Sequence, residues 1–316
     1  MKKGLSFLFC LYLTVEAFAQ TGRITVAQDG SGNYKTVQQA INAVPDNSNK
    51  VTLIFIKKGT YKEKLNIPVN KINVKFIGED KMNTILTYDD YHARKDSTGK
   101  EIGTSGSASI HIYGIGFTAE NLTFQNSAGP VGQAVAVWVA GDKAYFKNCR
   151  FLGLQDTLYT FGYGSRQLYE DCYIEGTVDF IFGASTVWFQ NCEINCKKSG
   201  YVTAASTPDT VKYGYVFMNC KIGGDAAPQT YDLGRPWRPY SSVVYINCEL
   251  GPQIKAEGWD FWGNVKNQST ARYAEYKNRG EGFTPDKRVS WSHQLTDEEA
   301  KNYTKRNVLK GWEPKS

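Results

Sequence analysis

The chain has 316 residues, of which 41% are hydrophobic and 22% charged, a globular composition that excludes both a disordered polymer and a bundle of membrane spans. Its 37 Lys and Arg against 31 Asp and Glu leave a formal charge of +6. No block of like charges is present, so the electrostatic footprint of a nucleic-acid binder is missing, while a mildly basic surface suits an anionic polymer.

Residues 1–19 read as a signal peptide. Lys2 and Lys3 precede an apolar run from Leu5 to Val15, and Ala17-Phe18-Ala19 supplies a small-x-small cleavage signal before Gln20. The mature chain, 20–316, is therefore expected to be exported, to a periplasm or outside the cell. No later stretch reaches about 18 consecutive apolar residues, and Phe9 is too large for the residue before a lipidated Cys10; no membrane anchor is expected.

Shortly after the mature N-terminus, Thr36 precedes Val37, Ala40, Ile41 and Val44, the apolar stripe of a helix stopped by Pro45. From there the text turns to short segments of alternating polarity separated by Gly, Asn and Asp. One phrase recurs: apolar, x, Asn or Asp, Cys, x, apolar. It is centred on Cys149, Cys172, Cys192, Cys220 and Cys248, at separations of 23, 20, 28 and 28 residues, with an earlier rung in which Leu122 takes the cysteine slot. Such a period belongs to a solenoid. Each rung holds too little strand to bury its own apolar face, so rungs must stack, at about 4.8 Å, as a parallel β-helix.

Without Cys10 the exported chain has six cysteines, an even number that also fits a disulfide framework. Their rung contexts favour buried thiols stacked inside the coil. Cys172 and Cys192, on adjacent coils, are the pair close enough for a bridge to be considered. No close cysteine pair with a partnering His has zinc spacing, so no metal is expected. Near the C-terminus, Thr296-Asp297-Glu298-Glu299 has the spacing of a capping box ahead of Ala300, Tyr303 and Val308. Short helices are thus expected to cap both ends of one all-β domain with no internal linker.

Polar clusters interrupt the strand-like text between residues 129 and 237: Gly132-Gln133-Ala134, Gln155-Asp156-Thr157-Leu158-Tyr159, Gly176-Thr177-Val178-Asp179-Phe180-Ile181-Phe182-Gly183, and Leu233-Gly234-Arg235-Pro236-Trp237. Singly, each has a structural explanation as a turn, corner or packing residue. Register changes that. Asp156 lies eight residues after Asn148, and Asp179 eight after Asp171, so the two acids occupy equivalent positions on neighbouring coils. Two paired carboxylates with an Arg available make an acid/base site.

These segments, in this order, resemble the signature segments of the pectin methylesterases (pectinesterases). The resemblance extends from Asp29-Gly30-Ser31-Gly32-Asn33-Tyr34 through Phe124-Gln125-Asn126-Ser127-Ala128-Gly129-Pro130 to Trp262-Gly263-Asn264. It implies a right-handed parallel β-helix and hydrolysis of galacturonate methyl esters in pectin, or methylated oligogalacturonate, without metal or cofactor. It also implies Asp179 as nucleophile, Asp156 as general acid and then base, and Gln155 and Gln133 as oxyanion donors. Arg235 would orient Asp179 and hold it ionised, Trp237 would offer a ring face to the sugar, and Thr104 matches a further substrate-contacting position. Between Tyr159 and Arg166, the segment Thr160-Phe161-Gly162-Tyr163-Gly164-Ser165 is somewhat longer than the plant-type segment, a departure at the rim of the site. A monomer is expected.

Four rival readings are weaker. Gly103-Thr104-Ser105-Gly106-Ser107 lacks the spacing of a serine-esterase elbow. A calcium-dependent pectate lyase needs an acidic cluster that the chain does not show. A glycoside hydrolase would use the same pair of acids. A non-catalytic sugar-binding solenoid would use the 20 Tyr and 7 Trp.

Overall fold

The computed structural model describes residues 23–314; the expected signal peptide lies outside the described residues. The strands form three parallel sheets of eleven, seven and eight strands, and successive coils pair in register on all three. The coil built from Arg166–Glu170, Tyr173–Gly176 and Ile181–Gly183 lies against the next, Thr186–Gln190, Glu193–Cys196 and Gly200–Ala205. This is a parallel β-helix, as the repeat requires. Among the described residues no helix is long and apolar enough to cross a membrane.

The recurring phrase can be read residue by residue in the coil. Asn121, Asn148, Asp171, Asn191, Asn219 and Asn247 all hold left-handed backbone, with φ between 50° and 57°. Asn and Asp tolerate that region better than other non-glycine residues. Their side chains also stack from coil to coil, as where Asn148 Nδ2 donates to Asn121 Oδ1 at 2.7 Å. The corner turns the following residue inward, and Cys149, Cys172, Cys192, Cys220 and Cys248 are all buried. Three positions before each cysteine an aromatic ring points into the same core. Phe146, Tyr169, Phe189, Phe217 and Tyr245 form a continuous stack with centroid spacings of 4.8, 5.1, 4.4 and 4.4 Å.

The six described cysteines are free thiols, so Cys172 and Cys192 are not bridged. Cys172 Sγ instead donates to the carbonyls of Glu170 at 3.3 Å and Phe146 at 3.5 Å, and burial pushes both thiols well above the usual range. A thiol reductant is therefore expected to leave the melting temperature of the mature protein unchanged. A native disulfide is worth about 2–5 kcal/mol, so a drop of several degrees on reduction, read by circular dichroism, would reveal a bridge.

The two ends are closed differently. Helix Val37–Ala43 is capped by the Thr36 hydroxyl, which accepts from Gln39 N–H, and buries Val37, Ala40 and Ile41 in the main core against the first coils. The C-terminal capping box also forms, on Asp297–Ala300, followed by a second short helix at Lys305–Val308. These helices do not plug the far end, contrary to expectation. Val308 and Leu309 pack on the outer side of the eleven-stranded sheet, against its apolar row that includes Tyr145, Leu168 and Trp188. That row would otherwise be exposed, and covering it is what holds the tail alongside the coil. The end itself is shut by Trp259 and Tyr273, with Trp291 5.9 Å from Tyr273 and Phe283 and Val289 packed against the same core.

Candidate active site

The site lies on the outer side of the seven-stranded sheet. Strands Val137–Val139, Leu158–Thr160 and Ile181–Gly183 pair so that Trp138, Tyr159 and Phe182 stand in one row. Asp156 and Asp179 each sit two residues before their strand, at φ of 65° and 54°. Because Leu158 pairs with Ile181, the two acids are equivalent on successive coils, as their spacing required. Asp156 N–H donates to Val178 O at 3.1 Å, which ties one acid's backbone to the residue before the other. Both corners use the same tolerance of Asp for left-handed backbone as the Asn corners do. Here it aims a carboxyl outward into a cleft.

That cleft, about 490 Å³, is lined by all seven expected residues: Thr104, Gln133, Gln155, Asp156, Asp179, Arg235 and Trp237. Asp156 and Asp179 are only 7% and 6% exposed. Arg235 reaches from two coils above and grips Asp179 in a two-pronged pair, Nε to Oδ1 at 2.9 Å and Nη2 to Oδ2 at 2.7 Å. Its guanidinium is itself held between two rings, 3.8 Å from the Tyr201 centroid and 3.7 Å from that of Trp262. Gln133 and Gln155 also line the cleft, and their backbone carbonyls accept from His92 N–H and Ala134 N–H. Thr104 Oγ1 lies 2.9 Å from His92 Nδ1, on the short helix Gly103–Gly106.

Burial and charge set the two acids apart. Asp156 is pushed well above the usual carboxyl range, first by burial and then by the negative charge of Asp179, with Arg235 pulling weakly the other way. Asp179 is also raised by burial, against the opposing hydrogen bond and charge of Arg235. Arg235 thus pulls Asp179 toward its ionised form. Burial outweighs it, because the carboxylate has been withdrawn from water by the aromatic walls. One carboxyl with a strong cationic partner and one without is an arrangement in which a charged nucleophile and a protonated acid can coexist.

Several cleft residues were not singled out from the sequence. Tyr159 and Phe182 lie within the segments quoted for the acids and stack at 4.1 Å beneath the cleft. Burial pushes the Tyr159 phenol up to about 12, so it stays neutral. Trp262 belonged to a recognised segment, and the structure sets it on left-handed backbone, at φ 58°. Tyr201, which backs Arg235 and does not itself line the cleft, carried no sequence signal, being an aromatic in an ordinary strand.

Comparison with known proteins agrees with this architecture. The family model for pectinesterases matches residues 23–312. The chain is 41% identical to pectinesterase 31 of Arabidopsis thaliana over 90% of this chain and 91% of that protein. It is 40% identical to a pectinesterase of Petunia integrifolia, over 89% of this chain and 77% of the other. It spans about half of some longer relatives, 47% of pectinesterase 4 of Arabidopsis thaliana. Among solved structures, pectin methylesterase from carrot superposes with a TM-score of 0.83 at 35% identity, covering 91% of this chain and 93% of that one. A pectin methylesterase variant solved in complex with a hexasaccharide does so with 0.83 at 32% identity, covering 93% and 98%. With a matching family model across its described length and relatives that share its coils from end to end, the chain belongs to the pectinesterase family of carboxylic ester hydrolases.

Proposed function

We propose that the protein is an exported, monomeric pectin methylesterase that hydrolyses the methyl esters of homogalacturonan, releasing methanol and leaving pectate. The observation that carries the reading is the division between the acids: Asp179 is gripped by Arg235, while Asp156, raised by burial and by its neighbour's charge, is disposed to hold a proton. In the first half-reaction a carboxylate oxygen of Asp179 attacks the ester carbonyl carbon. The tetrahedral oxyanion accepts hydrogen bonds from the Gln133 and Gln155 amides. Its collapse breaks the bond to the methoxy oxygen, which takes the Asp156 proton and leaves as methanol, with the galacturonyl group on Asp179 as an anhydride. In the second half, the Asp156 carboxylate takes a proton from water as the water attacks that carbonyl. Asp179 departs as the carboxylate, the uronic acid released gives its proton to solvent to become galacturonate, and Asp156 is again protonated. None of these steps calls for a metal or cofactor.

The test is to follow methanol and reducing ends together on methylated pectin. An esterase releases methanol alone; new reducing ends without methanol would place the acids in a glycosidase or lyase instead. In the same assay Gln133→Ala and Gln155→Ala are each expected to lower kcat, by about 10²-fold or more, with little change in KM, since loss of one oxyanion donor typically costs about 2.7–4 kcal/mol in the barrier. A rise in KM with kcat intact would make them ground-state binding residues.

A further inference from the structure

The offset that places the two acids recurs beyond them. Leu158, Ile181, Thr203 and Gly234 pair in turn across four coils of the seven-stranded sheet, and two residues before each stand Asp156, Asp179, Tyr201 and Asp232. Tyr201 and Asp232 are themselves paired. The column thus reads acid, acid, ring, acid, and the proposed mechanism uses only the first two. Asp232 lines no part of the cleft and is 3% exposed.

The Asp232 carboxyl is held by Lys255, Nζ to Oδ2 at 2.7 Å. A buried ion pair is a weak device for stability, because desolvation offsets most of the attraction and apolar residues of the same volume often serve as well. Its surroundings give another reason for it. The Lys255 ammonium lies 5.9 Å from the centroid of the Tyr201 ring, and the Arg235 guanidinium lies 3.8 Å from the same centroid. Two cations therefore share one ring, and each has its own acid, Asp179 for Arg235 and Asp232 for Lys255. The negative charge of Asp260 reaches both pairs and works against ionisation of Asp179 and of Asp232, where Glu257 adds to it.

A guanidinium can turn about its last side-chain bonds, whereas the two-pronged grip on Asp179 needs its plane aligned with the carboxylate. A flat ring at 3.8 Å limits that turning. The ring in turn needs holding, since Tyr201 is only half-buried and borders a second cavity of about 200 Å³, lined also by Lys255, Thr230 and Val178. We propose that Asp232, Lys255 and Tyr201 form a positioning relay: Asp232 fixes the Lys255 ammonium, the ammonium fixes the Tyr201 ring, and the ring sets the plane in which Arg235 grips Asp179. None of the three touches the reacting atoms. The inference deepens the pectin methylesterase reading and rests on it for the role of Asp179.

The test measures pH–rate profiles of methanol release by the mature wild-type protein, Tyr201→Phe, Tyr201→Leu and Asp232→Asn on a soluble methylated oligogalacturonate, with melting temperatures taken alongside. Tyr201→Leu removes the ring and is expected to lower kcat about 10-fold, the scale of a desolvated contact between a cation and a ring. Its KM should change less than about twofold, and the acidic limb of kcat/KM should move to higher pH. Tyr201→Phe keeps the ring and should behave as wild type. Asp232→Asn, nearly isosteric, frees Lys255 and is expected to lower kcat about threefold and to move the limb the same way. That direction discriminates, because taking a negative charge from the neighbourhood of Asp179 would by charge alone favour its ionisation and move the limb to lower pH. In an Arg235→Ala background neither substitution should lower kcat further. The relay would be overturned by an acidic limb that stays in place or moves to lower pH in Asp232→Asn. A rise in KM with kcat intact in Tyr201→Leu, or losses that add to that of Arg235→Ala, would overturn it too. Wild-type protein that releases no methanol would defeat the underlying reading instead. Titration of the Asp179 carboxyl, followed by NMR in protein carbon-labelled at its aspartate carboxyls and assigned against Asp179→Asn, needs no turnover. An upward move in both Tyr201→Leu and Asp232→Asn would then uphold the relay, and an unmoved carboxyl would overturn it.

Discussion

Asp179→Asn is expected to abolish methanol release, lowering kcat by on the order of 10⁴-fold or more, while the protein keeps its fold and its melting temperature within a few degrees. Three features of the position argue for an intact fold. The backbone there is left-handed, at φ 54°, and Asn tolerates that region as well as Asp does. The side chain is 6% exposed, and Asn fills the same volume. Its amide oxygen can still accept one of the two hydrogen bonds that Arg235 now donates at 2.9 and 2.7 Å. The charge and the nucleophilic oxygen pair are lost. Asp179→Ala makes the contrast: it leaves the half-buried guanidinium without its partner and puts a Cβ without polar compensation on left-handed backbone, at a cost of roughly 1–2 kcal/mol for the backbone alone. The alanine variant is therefore expected to melt lower than the asparagine variant although both are inactive. Methanol release near the wild-type rate by folded Asp179→Asn protein would remove Asp179 from the mechanism.

Much of the fold could be read from one recurring phrase because each of its letters answers a separate physical demand. The Asn or Asp takes the left-handed corner, the Cys fills the tight inside of the turn, and the apolar residue before them feeds the inner stack. The two acids were found in the same way, as polar residues at one offset from successive corners. What could not be read depends on contacts between distant segments. The tail from Thr296 has helix signals of its own, but whether it plugs an end or lies along a sheet is decided by Tyr145, Leu168 and Trp188, whose outward row leaves apolar surface to be covered. Tyr201 sits under Arg235 only because their coils stack, and nothing local to either residue announces it. The upward displacement of Asp179 was missed for a related reason. Charge pairs can be guessed from spacing, whereas desolvation depends on the walls that close around the carboxyl.

Arg235 is where that balance can be measured. Removing it takes away the largest influence that lowers the proton affinity of Asp179 and leaves burial unopposed. In the proposed mechanism Asp179 must be ionised to attack, so activity climbs as pH rises through its pKa. Arg235→Ala is thus expected to move the acidic limb of the kcat/KM profile to higher pH, with a loss in kcat of about 10²-fold or more even on the plateau. Asp156 must be protonated, so activity falls as pH rises through its own raised pKa. Arg235 also pulls that value down, and its removal should carry the alkaline limb upward, not downward. Arg235→Lys keeps the charge but not the planar fork that makes two parallel hydrogen bonds and fits between the Tyr201 and Trp262 rings. Its acidic limb should fall between those of wild type and alanine, with most of the kcat loss retained, because the nucleophile is still partly charged but no longer held in one orientation. The measurement is a pH–rate profile of the three proteins on a soluble methylated oligogalacturonate, with affinity taken separately. An acidic limb that stays in place while only affinity weakens would make Arg235 a sugar-binding residue, and the distinction between the two carboxyls would then rest on burial alone.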